Sequence, residues 1–309
     1  MSLKKYSVLL FLVLANLFWA GNYVFGQYLV VEMSPLQMTF FRWLIAVFLL
    51  VPLAHFIERP NWKSVWKEWK TLLVLAVLGI ISYNFLLYEA LQYTTSLNAA
   101  LVNSINPAVI VLFSVLFLKE KIQLKNMIGL MISLLGVLLV LTKGQLHLIF
   151  HNNYNQGDIL MIFAIIVWTI YSIIGRKTKN IPPIAATSVS VIFALIMLLP
   201  MIAVNGSDFN LNLSHQALIG ILYMGMFPSV CSFIFWNISL RHIDASKAGI
   251  YLNLITVFTA IIGLILGKSI SVVQVVGGVL VFMGVYLTSM KVKARKGKVE
   301  QIPGETFKI

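Results

Sequence analysis

Apolar residues fill this chain in ten long blocks, at about 8–30, 36–57, 71–92, 96–118, 124–142, 158–175, 183–204, 216–240, 247–267 and 272–290, separated by short polar stretches. Blocks of this length predict spanning helices, because about 20 residues rising ~1.5 Å each cross a hydrocarbon layer ~30 Å thick. The first block follows Lys4 and Lys5 as a secretory leader would. It is longer than the usual leader core of about 7–15 apolar residues and lacks a small-x-small cleavage site, so it reads as a retained first span. The fold class expected is an all-α integral membrane protein of ten transmembrane helices.

Composition supports this pattern. Of 309 residues, 60% are hydrophobic and 11% charged, where a soluble domain carries about 25% charged residues. The net charge of +13 would suit nucleic acid only as a basic face on a soluble domain. Here the Lys and Arg residues lie in the short links and the tail, so no nucleic-acid partner is expected. Their distribution also orients the chain. With the N-terminus inside, 20 of the 23 basic residues fall in inside segments, Lys143 and Lys268 fall outside, and Arg42 lies within a span. The positive-inside rule then predicts a multi-pass protein of the cytoplasmic membrane with both termini cytoplasmic. The single Cys231 excludes an intrachain disulfide and a cysteine-rich metal site.

The blocks also repeat. A shift of 149 residues carries Ala15, Trp19 and Gly26 onto Ala164, Trp168 and Gly175, and Leu91 and Ala99 onto Leu240 and Ala248; a shift of 148 carries Gly129 and Gly136 onto Gly277 and Gly284. Five spans per unit, an odd number, invert the second unit relative to the first. The expected organisation is a first repeat over 1–143, a second, inverted repeat over 144–290 and a basic cytoplasmic tail over 291–309. Inverted repeats are the architecture through which many carriers alternate access, with substrate held near the midplane.

The stretches "FFRWLIAVFLL", "ALQYTTSLNAALVNSINPAVIVLFSVLFLKEKI" and "GLMISLLGVLL", echoed by "SLRHIDASKAGIYLNL" and "GGVLVFMGVYL", resemble the EamA-type repeat of the drug/metabolite transporter superfamily. The resemblance covers nearly the whole chain except the tail. It implies a ten-helix inverted-repeat carrier that exports or exchanges metabolites, amino acids or drug-like compounds. The family usually carries a Gly-Glu pair at the end of the fourth helix of each repeat; this chain has Lys119-Glu120 and Gly267-Lys268 there.

Candidate chemistry lies in the polar residues inside spans, since ionisable groups are costly there. Arg42 and Glu89 sit roughly 9 Å and 6 Å from the outer ends of their helices at ~1.5 Å per residue, so they are expected at matching depth. The pair reads either as a structural ion pair or as a site where Glu89 binds substrate or a proton. Asn103 and Asn106 stand before Pro107, which disturbs the carbonyl about four residues earlier, and Asn16 and Asn22 lie on the first span. Such amides serve as helix glue or line a cavity. Trp19 and Tyr23, with Trp168 and Tyr171 at repeat-related positions, join Tyr83, Tyr88, Trp236 and Tyr251 as candidate cavity walls, because a mid-membrane indole N–H needs a partner. Aromatics and amides with little charge suit a small amphipathic solute better than a polyanion.

No catalytic residue, metal or cofactor is expected: the five histidines fall near loops, and no P-loop or HExxH pattern occurs. The expected partners are a small-molecule substrate and membrane lipid, and two halves in one chain allow a monomer to act. A membrane-embedded enzyme and a channel are the alternatives from other classes. A carrier would saturate and show counterflow, a channel would not, and an enzyme would give no flux.

Overall fold

The computed structural model describes residues 5–145, 155–178, 181–205, 209–210, 212–267 and 269–289. The tail over 291–309 and Lys268 lie outside the described residues. Among the described residues there is no strand. Among these same residues nine helices are long and apolar enough to cross a membrane, and a shorter apolar one follows. They are α1 (Tyr6–Leu29), α2 (Pro35–Glu58), α3 (Trp69–Tyr93), α4 (Ser96–Leu118), α5 (Leu124–Thr142), α6 (Gln156–Lys177), α7 (Pro183–Val204), α8 (His215–His242), α9 (Ala245–Ile265) and α10 (Val272–Thr288). Large apolar side chains such as Leu112, Leu116, Met131, Ile162 and Val276 face outward, as a lipid-solvated surface requires.

The ends of the spans follow from local chemistry. Ser34, Thr95 and Ser214 cap α2, α4 and α8 by accepting the N–H of Gln37, Asn98 and Ala217, which satisfies donors that a helix start leaves open. Asn155 and Asp158 form a reciprocal capping box on α6. Arg59, Lys119 and Lys143 adopt positive φ immediately after α2, α4 and α5, a conformation that stops a helix and is more common for glycine.

Four spans depart from regular α-helix in their interior. In α3 the stretch Ala76–Ser82 is a π-turn, and in α8 so is Phe227–Cys231. A shift of 149 carries the first onto residues 225–231, so the two widened turns fall at matching places in that register. Each frees backbone carbonyls that need donors: the Asn84 amide donates to the carbonyls of Gly79 (3.1 Å) and Ile80 (2.8 Å), and the Ser229 hydroxyl to that of Met224 (2.6 Å). The helix of α4 breaks between Asn103 and Asn106, with Pro107 opening the continuation. At the place that the same shift of 149 reaches, α9 is interrupted after Ile250 by a 3-10 turn over Tyr251–Asn253.

α5 and α10 lie face to face on glycine. A Cβ on Gly136 would stand 2.5 Å from the Gly277 carbonyl oxygen, and one on Gly129 2.7 Å from that of Gly284. The crossing pairs the first glycine of one helix with the second of the other. Such reciprocal contact is isologous and compatible with two inverted halves. Close glycine approach is a main source of helix adhesion where lipid removes the hydrophobic drive.

Carboxylates from the first half tie to helix starts of the second. Glu58 accepts the backbone N–H groups of Ile184 (2.9 Å) and Ala185 (2.8 Å) at the start of α7. Glu120 accepts those of Ala245 (3.0 Å) and Ser246 (3.1 Å) and the Ser246 hydroxyl (2.6 Å) at the start of α9. At the opposite end of the bundle Glu32, in the α1–α2 link, accepts the N–H (2.9 Å) and hydroxyl (2.7 Å) of Ser214. Those donors hold the Glu32 carboxyl below its ordinary range. A depressed carboxylate contributes stability above its unfolded pKa of ~4.3, and the contribution fades as pH falls through the lower folded value. Wild type should therefore exceed Glu32→Gln in thermal midpoint near neutrality, the gap closing in acid; a gap that persists in acid would contradict this tie.

Candidate functional site

Arg42 projects from α2 into the interior and is fully buried. Its Nε donates to the Ser229 hydroxyl of α8 (2.7 Å). Its Nη1 donates to Asn22 Oδ1 of α1 (3.0 Å), to Asn84 Oδ1 of α3 (2.8 Å) and to the Tyr88 hydroxyl, which in turn donates to Asn22 Oδ1 (2.9 Å). The guanidinium carbon lies 5.2 Å from the Trp43 ring centroid and 5.7 Å from that of Tyr88, within cation–π range. Two of the holding groups, Asn84 and Ser229, are those that serve the widened turns of α3 and α8. The same local distortions thus aim polar side chains at Arg42.

The expected Arg42–Glu89 ion pair does not form. Arg42 is held by neutral oxygens, while Glu89 is half-buried and its carboxylate meets the Tyr93 hydroxyl at 3.4 Å. The two ion pairs among the described residues, Arg176–Asp244 and Lys247–Asp244, lie at the helix ends. The depth argument failed because it ignored azimuth: successive residues of a helix point ~100° apart, and it is Tyr88, not Glu89, that turns inward.

Beside Arg42 lies a closed aromatic cluster. Trp19 meets Trp168 at 5.1 Å and Trp236 at 5.6 Å, and Trp168 meets Tyr171 at 5.0 Å and Tyr83 at 4.9 Å. Phe233 joins Trp168 (5.6 Å) to Trp43 (4.8 Å) and so to the arginine. Tyr23 is buried one turn beyond Trp19 on α1. Trp19 Nε1 donates to the Pro228 carbonyl in the widened turn of α8 (3.2 Å). Among the described residues, the indole nitrogens of Trp43, Trp168 and Trp236, the Tyr23 hydroxyl and Nη2 of Arg42 have no hydrogen-bond partner.

The remaining sequence candidates are placed elsewhere. Asn103 and Asn106 bond to one another (3.2 Å), and Asn106 accepts from Thr169 of α6 (3.4 Å). Asn16 donates to its own helix at the Leu12 carbonyl (2.6 Å). Tyr251 is buried in the turn of α9. Asn84, Ser229, Trp43 and Phe233 were not among the candidates. Asn84 and Tyr88, four apart on one helix face, are the pair that face geometry could have found.

Access to the cluster is narrow. A cavity of about 20 Å³, room for about one water, lies beside Tyr171, Thr187 and Asn237. Tyr171 and Asn237 are hydrogen-bonded at its edge (2.8 Å). From the α3–α4 end, a cleft of about 570 Å³ reaches Gln27 and Leu91. Gln27 lies one turn beyond Tyr23 on α1, and Leu91 about one turn beyond Tyr88 on α3.

Comparison with known proteins gives the family and the fold. The model of the EamA-like transporter family matches residues 6–142 and again 155–290. The chain is 27% identical over 296 residues to the uncharacterized transporter YyaM of Bacillus subtilis, covering 95% of this chain and 97% of the relative. It is 29% identical over 284 residues to an uncharacterized transporter of Archaeoglobus fulgidus, covering 91% and 97%. A crystal structure with 19% identity superposes with a TM-score of 0.70 over 92% of this chain and 98% of the other, which is a likeness of fold.

Proposed function

The chain belongs to the EamA-like transporter family and is a multi-pass membrane transporter, and from that premise we propose that it is a secondary carrier which moves small amphipathic metabolites, such as amino acids or drug-like compounds, by alternating access. In this reading it exports or exchanges its solute across the cytoplasmic membrane, with both termini cytoplasmic. The observation that carries the reading is the buried centre where α1, α2 and α3 of the first matched stretch meet α6 and α8 of the second. Arg42, four tryptophans and a ring of tyrosines converge there, and both ends of the bundle are held by non-covalent ties between the two stretches. A carrier needs this arrangement: a site reached from either side in turn, walled by groups that take an apolar body and fix a polar head. The repeat boundaries at 143/144 and 290/291 belong to the same reading.

The test is transport by purified protein in liposomes. Preloading with an unlabelled amino acid should accelerate entry of the labelled one, and initial rates should saturate with concentration. Flux that stays linear and shows no trans-acceleration would indicate a channel, and conversion of solute without flux an enzyme.

A further inference from the structure

We propose that the solute carries a carboxylate and that Arg42 is the residue that binds it; this rests on the carrier reading and names its substrate class. Arg42 is a fully buried cation whose four partners are all neutral, and no carboxylate pairs with it among the described residues. A charge removed from water is normally retained only with a counter-charge, and inside a membrane such a group usually faces one. Arg42 instead keeps one end of its fork, Nη2, without a partner among the described residues.

The neighbouring orphans are mostly donors, the exceptions being the Tyr23 hydroxyl, which can also accept, and Asn16 Oδ1 one turn before Trp19 on α1. The indoles of Trp43, Trp168 and Trp236 are donors only and lack acceptors. A surplus of donors around an uncompensated guanidinium calls for a group that only accepts. An ionised carboxylate is such a group: it accepts at two oxygens in the geometry of the fork. An amine would be repelled, and an amide brings donors where donors are already in excess. The aromatic rings beside Arg42 take the apolar part of the same molecule. Entry follows from the cleft at Gln27 and Leu91 once Tyr23 and Tyr88, a turn further in, move apart.

Matched acids and amides test this in the full-length protein: phenylacetate against phenylacetamide, hexanoate against hexanamide, and L-leucine against L-leucinamide, each titrated against the intrinsic tryptophan fluorescence. At least one acid should bind saturably and about tenfold or more tighter than its amide. Arg42→Gln should abolish the preference. Because that variant can fail to fold, Asn22→Asp is the decisive one. It sets a carboxylate where Asn22 Oδ1 now stands, 3.0 Å from Nη1, and supplies the missing charge from within. It should unfold no earlier than wild type and lose about tenfold or more of the affinity for the preferred acid. Absence of any acid preference, as when water alone fills the site, or an Asn22→Asp protein that keeps the preference, would overturn the assignment. Counterflow separates the two claims. Saturable exchange of amides or amines with no exchange of acids leaves the carrier reading standing and removes this one. Acid-selective binding without exchange of any solute does the reverse.

Discussion

Replacing Gly136 by leucine is expected to cost on the order of 3 kcal/mol or more and to remove most of the folded protein. The atoms that a side chain at 136 would meet are the carbonyl oxygen of Gly277 at 2.5 Å and the amide nitrogen of Val281 at 2.7 Å. Both belong to backbone, which cannot rotate away as a side-chain end can, so α5 and α10 would have to separate along the whole contact. Gly278, the immediate neighbour of Gly277, provides the control. A Cβ there meets only a methyl of Val257 at 3.5 Å, ordinary van der Waals contact. Gly278→Ala should therefore be neutral or gain up to about 1 kcal/mol from helix propensity. Thermal unfolding in detergent, read beside the yield of monodisperse protein, distinguishes the two. If Gly136→Leu and Gly278→Ala unfold together near the wild-type midpoint, the glycine face does not hold these helices.

The spans and their approximate ends are legible in the sequence because a bilayer imposes a length and a polarity on each. The block at 96–118 and α4 (Ser96–Leu118) coincide, and 8–30 meets α1 (Tyr6–Leu29) within two residues. Pro107 likewise announces the interruption of α4 between Asn103 and Asn106, since the missing donor is a local property. The site is less legible because it depends on rotation about helix axes. Depth along α3 placed Glu89 opposite Arg42, whereas the widened turn over Ala76–Ser82 inserts a residue into the helical count and changes which face of α3 lies inward. Neither that turn nor its counterpart at Phe227–Cys231 has a period to read in so uniformly apolar a stretch. Asn84 and Ser229, which answer the freed carbonyls and hold Arg42, were therefore hidden. The aromatic candidates fared differently: Trp19, Tyr23, Tyr83, Trp168, Tyr171 and Trp236 are all buried near one another, because bulky amphipathic side chains at mid-helix have few other places to go.

Removing the Glu120 carboxylate is expected to loosen the contact between the end of α4 and the start of α9. Glu120 stands just beyond Lys119, whose positive φ ends α4, and three donors of Ala245 and Ser246 converge on its two oxygens. Helix starts favour negative charge, and a hydrogen bond to a charged group contributes about 1.5–3 kcal/mol net, less where it is exposed. Glu120 is only half-buried, so a net loss of about 2 kcal/mol is the reasonable expectation for Glu120→Ala. That shifts an open–closed equilibrium at this end roughly thirtyfold, at tenfold per ~1.4 kcal/mol. Glu120→Gln should lie between, its single carbonyl oxygen replacing two. The shift is measurable as the maleimide labelling rate of Ala248→Cys, a position fully buried in the first turns of α9, with the native Cys231 changed to serine. Labelling should accelerate in the order wild type, Glu120→Gln, Glu120→Ala, while the thermal midpoint falls far less than for Gly136→Leu. Equal rates in all three proteins would mean that Glu120 caps α9 without holding the halves together.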